Sequence, residues 1–277
     1  MISTFSHIVA PNFDEILCGV FITKKESKIE IFDNSPHFFS VDSLLSDLLI
    51  LDSKNLGFYD YFSNQIGVID IAAGRISWQA SAGEKKDLDF VGSVPEMRWI
   101  ITQSRGNISI LSSESGELIE RRQISGILRG FGREWHVETH KNSIIFKTGY
   151  REVVLPRKEA ISFVHQFGNL VVIIERQGPI TIVEISNGGS VFTKHPDPGS
   201  EFSKAFVADD LVLFSQHFFD RPEVTILHRY KGLSNTIHQS VTLPCSGRYT
   251  FAKNGKEIAF ANRRVYSCIT GECLRIL

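Results

Sequence analysis

Three alternating polar residues form the grouping in this sequence that is closest in type to a metal-binding or catalytic site. They are His136, Glu138 and His140, in the segment 135–140. In a β-strand, alternate side chains point to the same face, so two imidazoles and a carboxylate would lie together, a set that can bind zinc. A strand that presents polar side chains to solvent gives the same pattern. We therefore predict no bound metal and keep these residues as an alternative site.

The standard motifs of nucleotide-binding and hydrolytic enzymes are missing from the sequence. It contains no P-loop, no GxSxG elbow and no HExxH zinc motif. The segment Gly130-Phe-Gly132 begins like a dinucleotide-binding fingerprint, but no third glycine and no helical pattern follow it. We therefore predict a protein that is not an enzyme and that uses no cofactor.

Composition and charge restrict the class of protein further. The chain has 277 residues, with 30 Lys and Arg against 31 Asp and Glu, so its formal net charge of -1 favours neither nucleic acid nor a membrane as partner. No signal-peptide or membrane-span pattern is present. Cys18, Cys245, Cys268 and Cys273 form no CxxC pair. We expect a reduced, cytoplasmic protein; the alternative is a hairpin disulfide between Cys268 and Cys273 in an exported one.

The elements that must position any site are predicted to be short β-strands. The sequence has 21 Phe and 21 Gly beside 9 Pro and 2 Met, which favours strands and tight turns. Apolar runs recur between Gly, Asn, Asp and Ser, while helical periodicity is almost absent. The runs include Glu15–Thr23, Met97–Gln103, Ser143–Lys147, Asn169–Glu175, Asp210–Gln216 and Glu257–Asn262. The sequence therefore predicts an all-β fold.

One hairpin recurs along the chain, with a glycine at a fixed place in its turn. Its clearest copies are residues 67–78, 108–119 and 265–276. The turn glycines are Gly74, Gly116, Gly188, Gly232 and Gly271, separated by 42, 72, 44 and 39 residues. We assign a degenerate unit without a turn glycine, residues 150–165, to the longest interval. A repeat of about 40 residues with four strands is the signature of a β-propeller.

The repeats resemble the WD40-like and quinoprotein-like units of the β-propeller superfamily. Asp70, Gly74 and Trp78 match the shared element best, namely an apolar strand with Asp, a turn ending in Gly and a strand carrying Trp. The resemblance covers nearly the whole chain but is degenerate, because no unit has the GH and WD dipeptides. It implies a propeller of seven blades with four antiparallel strands each; six blades also fit, and a sandwich or barrel is the alternative fold.

We assign residues 1–277 to a single propeller domain. The approximate blades are 5–42, 46–80, 88–124, 128–159, 161–194, 204–243 and 247–277.

Charge differs between two classes of predicted loops. Loops joining second and third strands carry Lys24, Lys25, Arg105, Lys147, Arg151, Arg176, Arg221, Arg263 and Arg264. Turns joining third and fourth strands carry Asp33, Glu114, Glu117, Asn187 and Glu272, with Lys231 as a basic exception. The two classes lie on opposite faces of a propeller, so a neutral molecule can have one basic face. Segments 129–135 and 217–221 add aromatic residues to that face, a composition typical of binding hot spots.

We therefore predict a non-enzymatic protein–protein interaction module, either a scaffold or complex subunit or a partner-neutralising or assembly factor. Its basic, aromatic loop face is predicted to bind an acidic protein surface. The predicted binding residues are Arg105, Arg129, Phe131, Arg133, Trp135, Arg176, Phe218, Phe219, Arg221, Arg263 and Arg264. Nucleic acid ranks below protein, because the chain has no basic tail. The alternative function is an enzyme, small-ligand or metal-binding protein that uses the central channel.

Overall fold

The computed structural model describes most of the chain from residue 47 onward and separate strands before it. The described residues are 8–9, 17–22, 27–32, 36–41, 47–52, 54–60, 63–70, 73–82, 88–149, 151–157, 159–186, 188–208, 211–231, 233, 237–246, 249–252, 255–260 and 264–276. The chain divides into two compact units, Met1–Arg133 and Glu134–Leu277, called unit 1 and unit 2. The assignment of the whole chain to one domain stays a prediction.

The described strands form seven four-stranded sheets, and within each sheet every strand pairs with the strand that precedes or follows it in the chain. Sheet 1 contains β1 (Ile8–Val9), β2 (Leu17–Ile22), β3 (Ser27–Phe32) and β4 (Pro36–Val41). Sheet 2 contains β5 (Asp47–Ile50), β6 (Asn55–Asp60), β7 (Gln65–Asp70) and β8 (Arg75–Ser81). Sheet 3 contains β9 (Phe90–Val94), β10 (Trp99–Ser104), β11 (Asn107–Ser112) and β12 (Leu118–Gln123), with a 3₁₀ turn at Pro95–Met97.

The remaining four sheets follow the same antiparallel meander. Sheet 4 contains β13 (Ile127–Phe131), β14 (Trp135–Thr139), β15 (Ser143–Thr148) and β16 (Arg151–Pro156), and the boundary between the units falls after β13. Sheet 5 contains β17 (Ile161–Phe167), β18 (Leu170–Glu175), β19 (Ile180–Glu184) and β20 (Ser190–Lys194). Sheet 6 contains β21 (Ser200–Ala208), β22 (Leu211–Phe218), β23 (Thr225–Lys231) and β24 (Ile237–Leu243). Sheet 7 contains β25 (Tyr249–Phe251), β26 (Glu257–Phe260), β27 (Arg264–Ser267) and β28 (Cys273–Ile276).

The core of unit 2 lies between successive sheets, which explains the continuous apolar runs in the sequence. The second strand β18 is buried at five of its six positions because apolar side chains cover both of its faces. Its Ile173 packs with residues of sheet 4, and its Ile174 packs with residues of sheet 6. The outermost strands β12, in unit 1, and β28 are exposed at every position. Sheet 5 therefore has a buried second strand, whereas the outer strands of sheets 3 and 7 are exposed to solvent.

The turn glycines adopt the backbone conformation that the repeat pattern predicts. Gly74, Gly116, Gly188 and Gly271 have φ angles of 61°, 74°, 68° and 75°, in the left-handed region that favours glycine. Gly232 lies outside the described residues. The prediction of a unit without a turn glycine was wrong, because Gly149, with φ 49°, lies in the turn between β15 and β16.

Two smaller predictions concern membrane spans and thiols. Of the residues described, none belongs to a helix with the length and apolar character needed to cross a membrane. Cys268 is a buried free thiol and Cys273 an exposed one, so the alternative hairpin disulfide is not formed. Tyr266, and not Cys268, is the residue that pairs with Cys273 across the hairpin.

Candidate protein-binding face

The topology of the sheets gathers several loops at one end of unit 2. In a four-stranded meander, the loop between the second and third strands lies at the same end as the segments that enter and leave the sheet, since each strand reverses direction. In unit 2 this end contains the loops 140–142, 176–179 and 219–224, the connections 157–160, 195–199 and 244–246, and Arg264 at the start of β27. We call this set the linker face.

Hydrogen bonds fix the connection 157–160 between the loops of sheets 4 and 5. Arg157 donates from Nη1 to the carbonyl of His140 at 2.8 Å and from its backbone N–H to the carbonyl of Asn142 at 3.0 Å. On the other side, the N–H of Arg176 donates to the carbonyl of Ala160 at 2.6 Å. The two loops and their connection therefore form one continuous part of the linker face.

The loop 219–224 of sheet 6 is fixed at both ends. The N–H of Phe219 donates to the carbonyl of Gly199, in the preceding connection, at 3.0 Å. At the other end, Thr225 Oγ1 donates to the carbonyl of Cys245, in the following connection, at 2.9 Å. A loop held in this way loses little conformational entropy when a partner binds.

Phe218, Phe219 and Arg221 form a compact group in this loop. The guanidinium carbon of Arg221 lies 4.6 Å from the centre of the Phe218 ring, a cation–π distance. The backbone N–H of Arg221 donates to the Phe218 carbonyl at 3.2 Å. Phe218 is half-buried, whereas Phe219 is 52% exposed. Asp220 forms an exposed ion pair of 3.8 Å with Arg221, an arrangement that contributes little free energy. The structure thus brings these three predicted residues together.

Two further predicted arginines lie on the linker face. Arg176 is exposed and precedes Gln177, which has a left-handed φ of 54°. Arg264 is exposed at the start of β27, and a hydrogen bond with the Tyr266 hydroxyl raises the pKa of Arg264. Burial raises the pKa of the neighbouring Cys245 thiol to about 11. Arg263, Lys24 and Lys25 lie outside the described residues.

Acidic side chains lie among the basic ones on the described linker face. The exposed basic residues are Lys141, Arg176, Arg221 and Arg264, and the exposed acidic residues are Glu159, Asp197, Asp220 and Glu223. The face therefore carries both signs of charge and not the single sign that we predicted. The prediction compared only the loops within sheets and omitted the connections between sheets, which supply Glu159 and Asp197.

Lys147 and Arg151 do not lie in the loop where the sequence pattern placed them. Lys147 belongs to the third strand β15 and Arg151 begins the fourth strand β16, so that part of the prediction was wrong. The error arose because the apolar run 143–147 was taken as the second strand. The true second strand is β14, in which His136 and Glu138 interrupt the apolar pattern. Lys141 occupies the loop instead.

The segment 129–135 is not part of the linker face. Arg129 and Phe131 belong to strand β13, where Phe131 is half-buried against apolar residues of unit 1. The carbonyl of Glu134 accepts the N–H of Gly149 at 3.1 Å, which places the start of β14 beside the turn between β15 and β16. Arg133, exposed and adjacent to Glu134, therefore lies at the opposite end of the sheet. The prediction that the segment 129–135 is an exposed loop was wrong, because Arg129 and Phe131 lie in β13 and Trp135 begins β14.

Trp135 is a core residue, contrary to the prediction that it is exposed. Only 5% of Trp135 is exposed, because β14 points the indole into the core between sheets 4 and 5. Its ring stacks on Phe146 with a centroid distance of 6.2 Å, and its Nε1 donates to Gln166 Oε1 at 2.6 Å. The indole N–H thus has its hydrogen-bond acceptor, and the indole ring its packing partner, within unit 2.

The alternative site at His136, Glu138 and His140 is an ion-pair cluster. The fully buried Glu138 carboxylate lies 2.7 Å from Lys147 Nζ, 3.0 Å from His136 Nε2 and 3.5 Å from His140 Nε2. Burial opposes ionisation of Glu138, but hydrogen bonds from Lys147 and His136 outweigh it and hold the pKa of Glu138 below its usual range. Among the described residues, no group of three or more His, Cys, Asp or Glu side chains is arranged to hold a metal.

In unit 1, Arg105 lies in a tight turn held from both sides. Arg105 and Gly106 connect β10 to β11 with φ angles of 51° and 79°. The N–H of Arg105 donates to Asp89 Oδ2 at 2.8 Å, and the Gly106 carbonyl accepts the N–H of Ile124 at 2.8 Å. Asp89 precedes sheet 3 and Ile124 follows it. The Arg105 residue itself is exposed, as predicted.

Sequence reasoning missed a set of buried polar residues that hold the connections in place. Gln103 donates to the Gly126 carbonyl at 2.7 Å and accepts the Leu128 N–H at 2.7 Å, and Glu175 accepts the Glu159 N–H at 2.7 Å. Each polar side chain lies near the end of an apolar second strand. A polar residue directly before a loop is the signal that could have identified them.

Solved structures similar to this chain include proteins with WD40 repeats. The WD40 repeats of RRP9 share 13% identity over 93% of this chain and 86% of that chain, with a TM-score of 0.67. Dihydro-heme d1 dehydrogenase NirN shares 12% identity over 98% of this chain and 65% of that chain, with a TM-score of 0.66. An uncharacterized protein of Listeria monocytogenes shares 11% identity over 99% of this chain and 95% of that chain, with a TM-score of 0.67.

These similarities confirm the fold that the repeats resemble, a WD40-like β-propeller built from four-stranded antiparallel sheets. No protein-family model and no curated protein matches the sequence. The similar structures include both WD40 repeats and a dehydrogenase, so the fold alone assigns no activity. Function must be argued from the residues of the face itself.

Proposed function

We propose that this protein is a non-enzymatic protein-binding module and that the loop 219–224 on the linker face contacts its partner. The observation that carries the proposal is the exposure of Phe219, 52%, beside an arginine stacked on Phe218. An aromatic ring with an adjacent arginine is the composition of an interface hot spot. The loop is held by both neighbouring connections, so a partner would meet a preformed surface.

The proposed partner presents an acidic group beside an apolar one. Phe219 would enter an apolar pocket of the partner, while Arg221 would bind a carboxylate there. Arg176 and Arg264 are exposed on the same face and would bind further acidic groups at its edge. Because Glu159, Asp197 and Glu223 lie among them, we expect local pairs, and not a general positive field, to select the partner.

An enzyme or a small-ligand protein is the weaker candidate. Of its proposed residues, Glu138 is already paired with His136 and with Lys147, and it lies 3.5 Å from His140 Nε2. The similarity to NirN concerns the fold, and the dehydrogenase activity belongs to that protein. The expected cytoplasmic location is part of the protein-binding proposal.

The proposal can be tested by photo-crosslinking in the source cells. A photoreactive benzoylphenylalanine replaces Phe219, and crosslinked proteins are identified by mass spectrometry. The matched control carries the same group at Val154, which is 58% exposed on the outer strand β16. We expect one protein to crosslink at position 219 and not at position 154.

The identified partner is then purified and its affinity is measured for three variants. We expect Phe219→Ala and Arg221→Ala each to weaken binding at least about tenfold, since hot-spot truncations have costs of this order. Val154→Ala should leave affinity unchanged, and all three should keep the unfolding temperature of the native protein. Equal affinity for Phe219→Ala and the native protein would contradict the proposal.

A further inference from the structure

A chain of hydrogen bonds crosses all four strands of sheet 6. Ser240 on β24 contacts His228 Nδ1 at 2.9 Å, and His228 Nε2 contacts Gln216 Oε1 on β22 at 2.5 Å. Gln216 Nε2 then donates to Ser200 Oγ on β21 at 2.6 Å, and Ser200 Oγ donates to the Asp197 carbonyl at 2.6 Å. We call these five residues the His228 relay.

The direction of every hydrogen bond in the His228 relay follows from its chemistry. The amide nitrogen of Gln216 faces Ser200, so its oxygen faces His228 and can only accept. His228 Nε2 must therefore carry the proton, and Nδ1 accepts from the Ser240 hydroxyl. Burial lowers the pKa of His228, which favours this neutral form. Each relay side chain from Ser240 to Ser200 donates to the next member, so all the bonds run in one direction.

The inner members of the relay are removed from water. Ser200, Gln216 and His228 are 4%, 2% and 8% exposed. A buried polar group that loses its partner retains the cost of its desolvation. Breaking the relay at one member would therefore remove one hydrogen-bond partner from each neighbour and allow the strands that they join to move.

The end of the His228 relay lies directly beside the loop proposed to bind the partner. Ser200 is the register partner of Phe218, and its N–H donates to the Asp197 carbonyl at 3.2 Å to close a turn. Gly199, inside that turn, accepts the N–H of Phe219 at 3.0 Å. Gln216 also reaches Asp197 Oδ2 at 3.3 Å. The backbone hydrogen bond that fixes Phe219 is thus formed by the turn that the relay holds.

We infer that His228 and Gln216 are positioning residues that hold Phe219 in place through the His228 relay. The inference rests on the proposed function for its biological meaning, because it concerns the same loop. It predicts that a buried change within β22 or β23, the strands that flank the loop, alters the loop while the rest of the protein keeps its structure.

Hydrogen–deuterium exchange of the peptide 217–224 tests the inference without any partner. We expect Gln216→Leu and His228→Leu to raise the exchange rate of this peptide about tenfold, a change consistent with the loss of one buried hydrogen-bond partner. His228→Gln keeps a donor and an acceptor and should restore a rate within twofold of the native protein. Ser200→Ala serves as the relay-breaking variant if a leucine variant does not fold.

The matched control is Gln103→Leu in unit 1. Gln103 is 1% exposed and bridges a connection in the same manner, so its loss should destabilise the protein without affecting peptide 217–224. Native-like exchange in the relay-breaking variants, or faster exchange in Gln103→Leu as well, would overturn the inference. If the relay variants behave as expected but position 219 crosslinks to nothing, the positioning role stands and the proposed function fails.

Discussion

Trp78 and Gly116 are in direct contact between two neighbouring sheets of unit 1. The indole belongs to the outer strand β8 of sheet 2, and Gly116 belongs to the turn between β11 and β12 of sheet 3. A Cβ atom on Gly116 would lie 2.7 Å from Cε3 of the indole, too close for van der Waals contact. The indole Nε1 donates to the Ser113 carbonyl at 2.9 Å and fixes the turn against the ring.

The same relationship recurs in unit 2, which explains why the glycine repeats in the sequence. A Cβ on Gly188 would lie 2.5 Å from Cγ2 of Val153, on the outer strand of sheet 4. One on Gly271 would lie 2.6 Å from Cγ1 of Val241, on the outer strand of sheet 6. The repeated turn therefore packs against the outer strand of the preceding sheet in each of these cases. Glycine is required there both for its left-handed backbone and for its small size.

We expect Gly116→Ala to destabilise the protein by about 2–4 kcal/mol. The left-handed φ of 74° costs an alanine about 1–2 kcal/mol, and the overlap with Trp78 adds a cost of overpacking. Urea unfolding measures the change. Gly168→Ala is the matched control, since its φ is 57° and nothing lies within 4 Å of its added Cβ. Equal losses for the two variants would mean that contact with Trp78 plays no part.

The fold was predictable from the sequence because its strongest signal is local and repeated. Most repeats contribute an apolar second strand and a turn glycine, and both signals depend on residues close together in the chain. The exception was sheet 4, where Glu138 and its partner Lys147 interrupt the apolar pattern of both middle strands. A carboxylate that is buried because of a partner elsewhere in the sheet cannot be distinguished, in the sequence, from one at the surface.

The candidate site was predicted only where the residues lie in short loops. Phe219 and Arg221 directly follow β22 and Arg176 directly follows β18, so their exposure followed from the strand pattern. Trp135 also looks like a loop residue in the sequence, because polar residues precede it. It is instead the first residue of β14, and its side chain points inward. An error of one residue in a strand boundary reverses the face that a side chain occupies.

We expect Arg105→Gly to stabilise the protein by about 0.5–1 kcal/mol. Arg105 has a left-handed φ of 51° in a two-residue turn, a conformation in which glycine has no steric cost. The N–H that donates to Asp89 remains in the variant. Thermal unfolding measures the change, with Arg105→Ala as the control that removes the side chain but keeps the strain. A loss of stability in Arg105→Gly greater than in Arg105→Ala would show that the backbone is not strained.

We expect thiol reagents to modify Cys273 much faster than Cys268 in the native protein. Cys273 is exposed on the outer strand β28, whereas Cys268 is 1% exposed and burial raises the pKa of its thiol to about 12. Only the thiolate reacts, so burial and protonation both protect Cys268. Peptide mapping after brief alkylation at pH 8 compares the two residues, and alkylation in urea provides the unfolded reference. Similar native rates for the two would contradict the packing of sheet 7.

We expect Lys147→Met to destabilise the protein by about 3–5 kcal/mol, because it removes a cation from a buried carboxylate. The double variant Glu138→Gln with Lys147→Met should recover a large part of this loss. The Glu138→Gln change replaces the buried carboxylate by a neutral amide, so no unpaired buried charge remains. Chemical denaturation of the two single variants and the double variant gives the coupling free energy. Additive effects would contradict the pairing of Glu138 with Lys147.

Buried histidines should make the protein less stable as the pH falls from 7 to 5. Burial lowers the pKa values of the half-buried His217 and the buried His228, so the folded protein favours their neutral forms. Unfolded histidines have a pKa of about 6.5, and below that value the unfolded chain binds protons first. The free energy of unfolding should therefore fall, by at most about 1.4 kcal/mol per pH unit for each histidine.

The histidine effect can be separated from that of Glu138 by the pH range. The pKa of Glu138 is lowered from 4.5, so its contribution is lost only at lower pH than the range from 7 to 5. His228→Gln removes one titrating group while keeping the donor and acceptor of the relay. Urea unfolding at pH 7 and pH 5 should show a smaller loss of stability for His228→Gln than for the native protein. An identical loss would mean that His228 takes up its proton equally readily in the folded and unfolded states, against the burial of its ring in sheet 6.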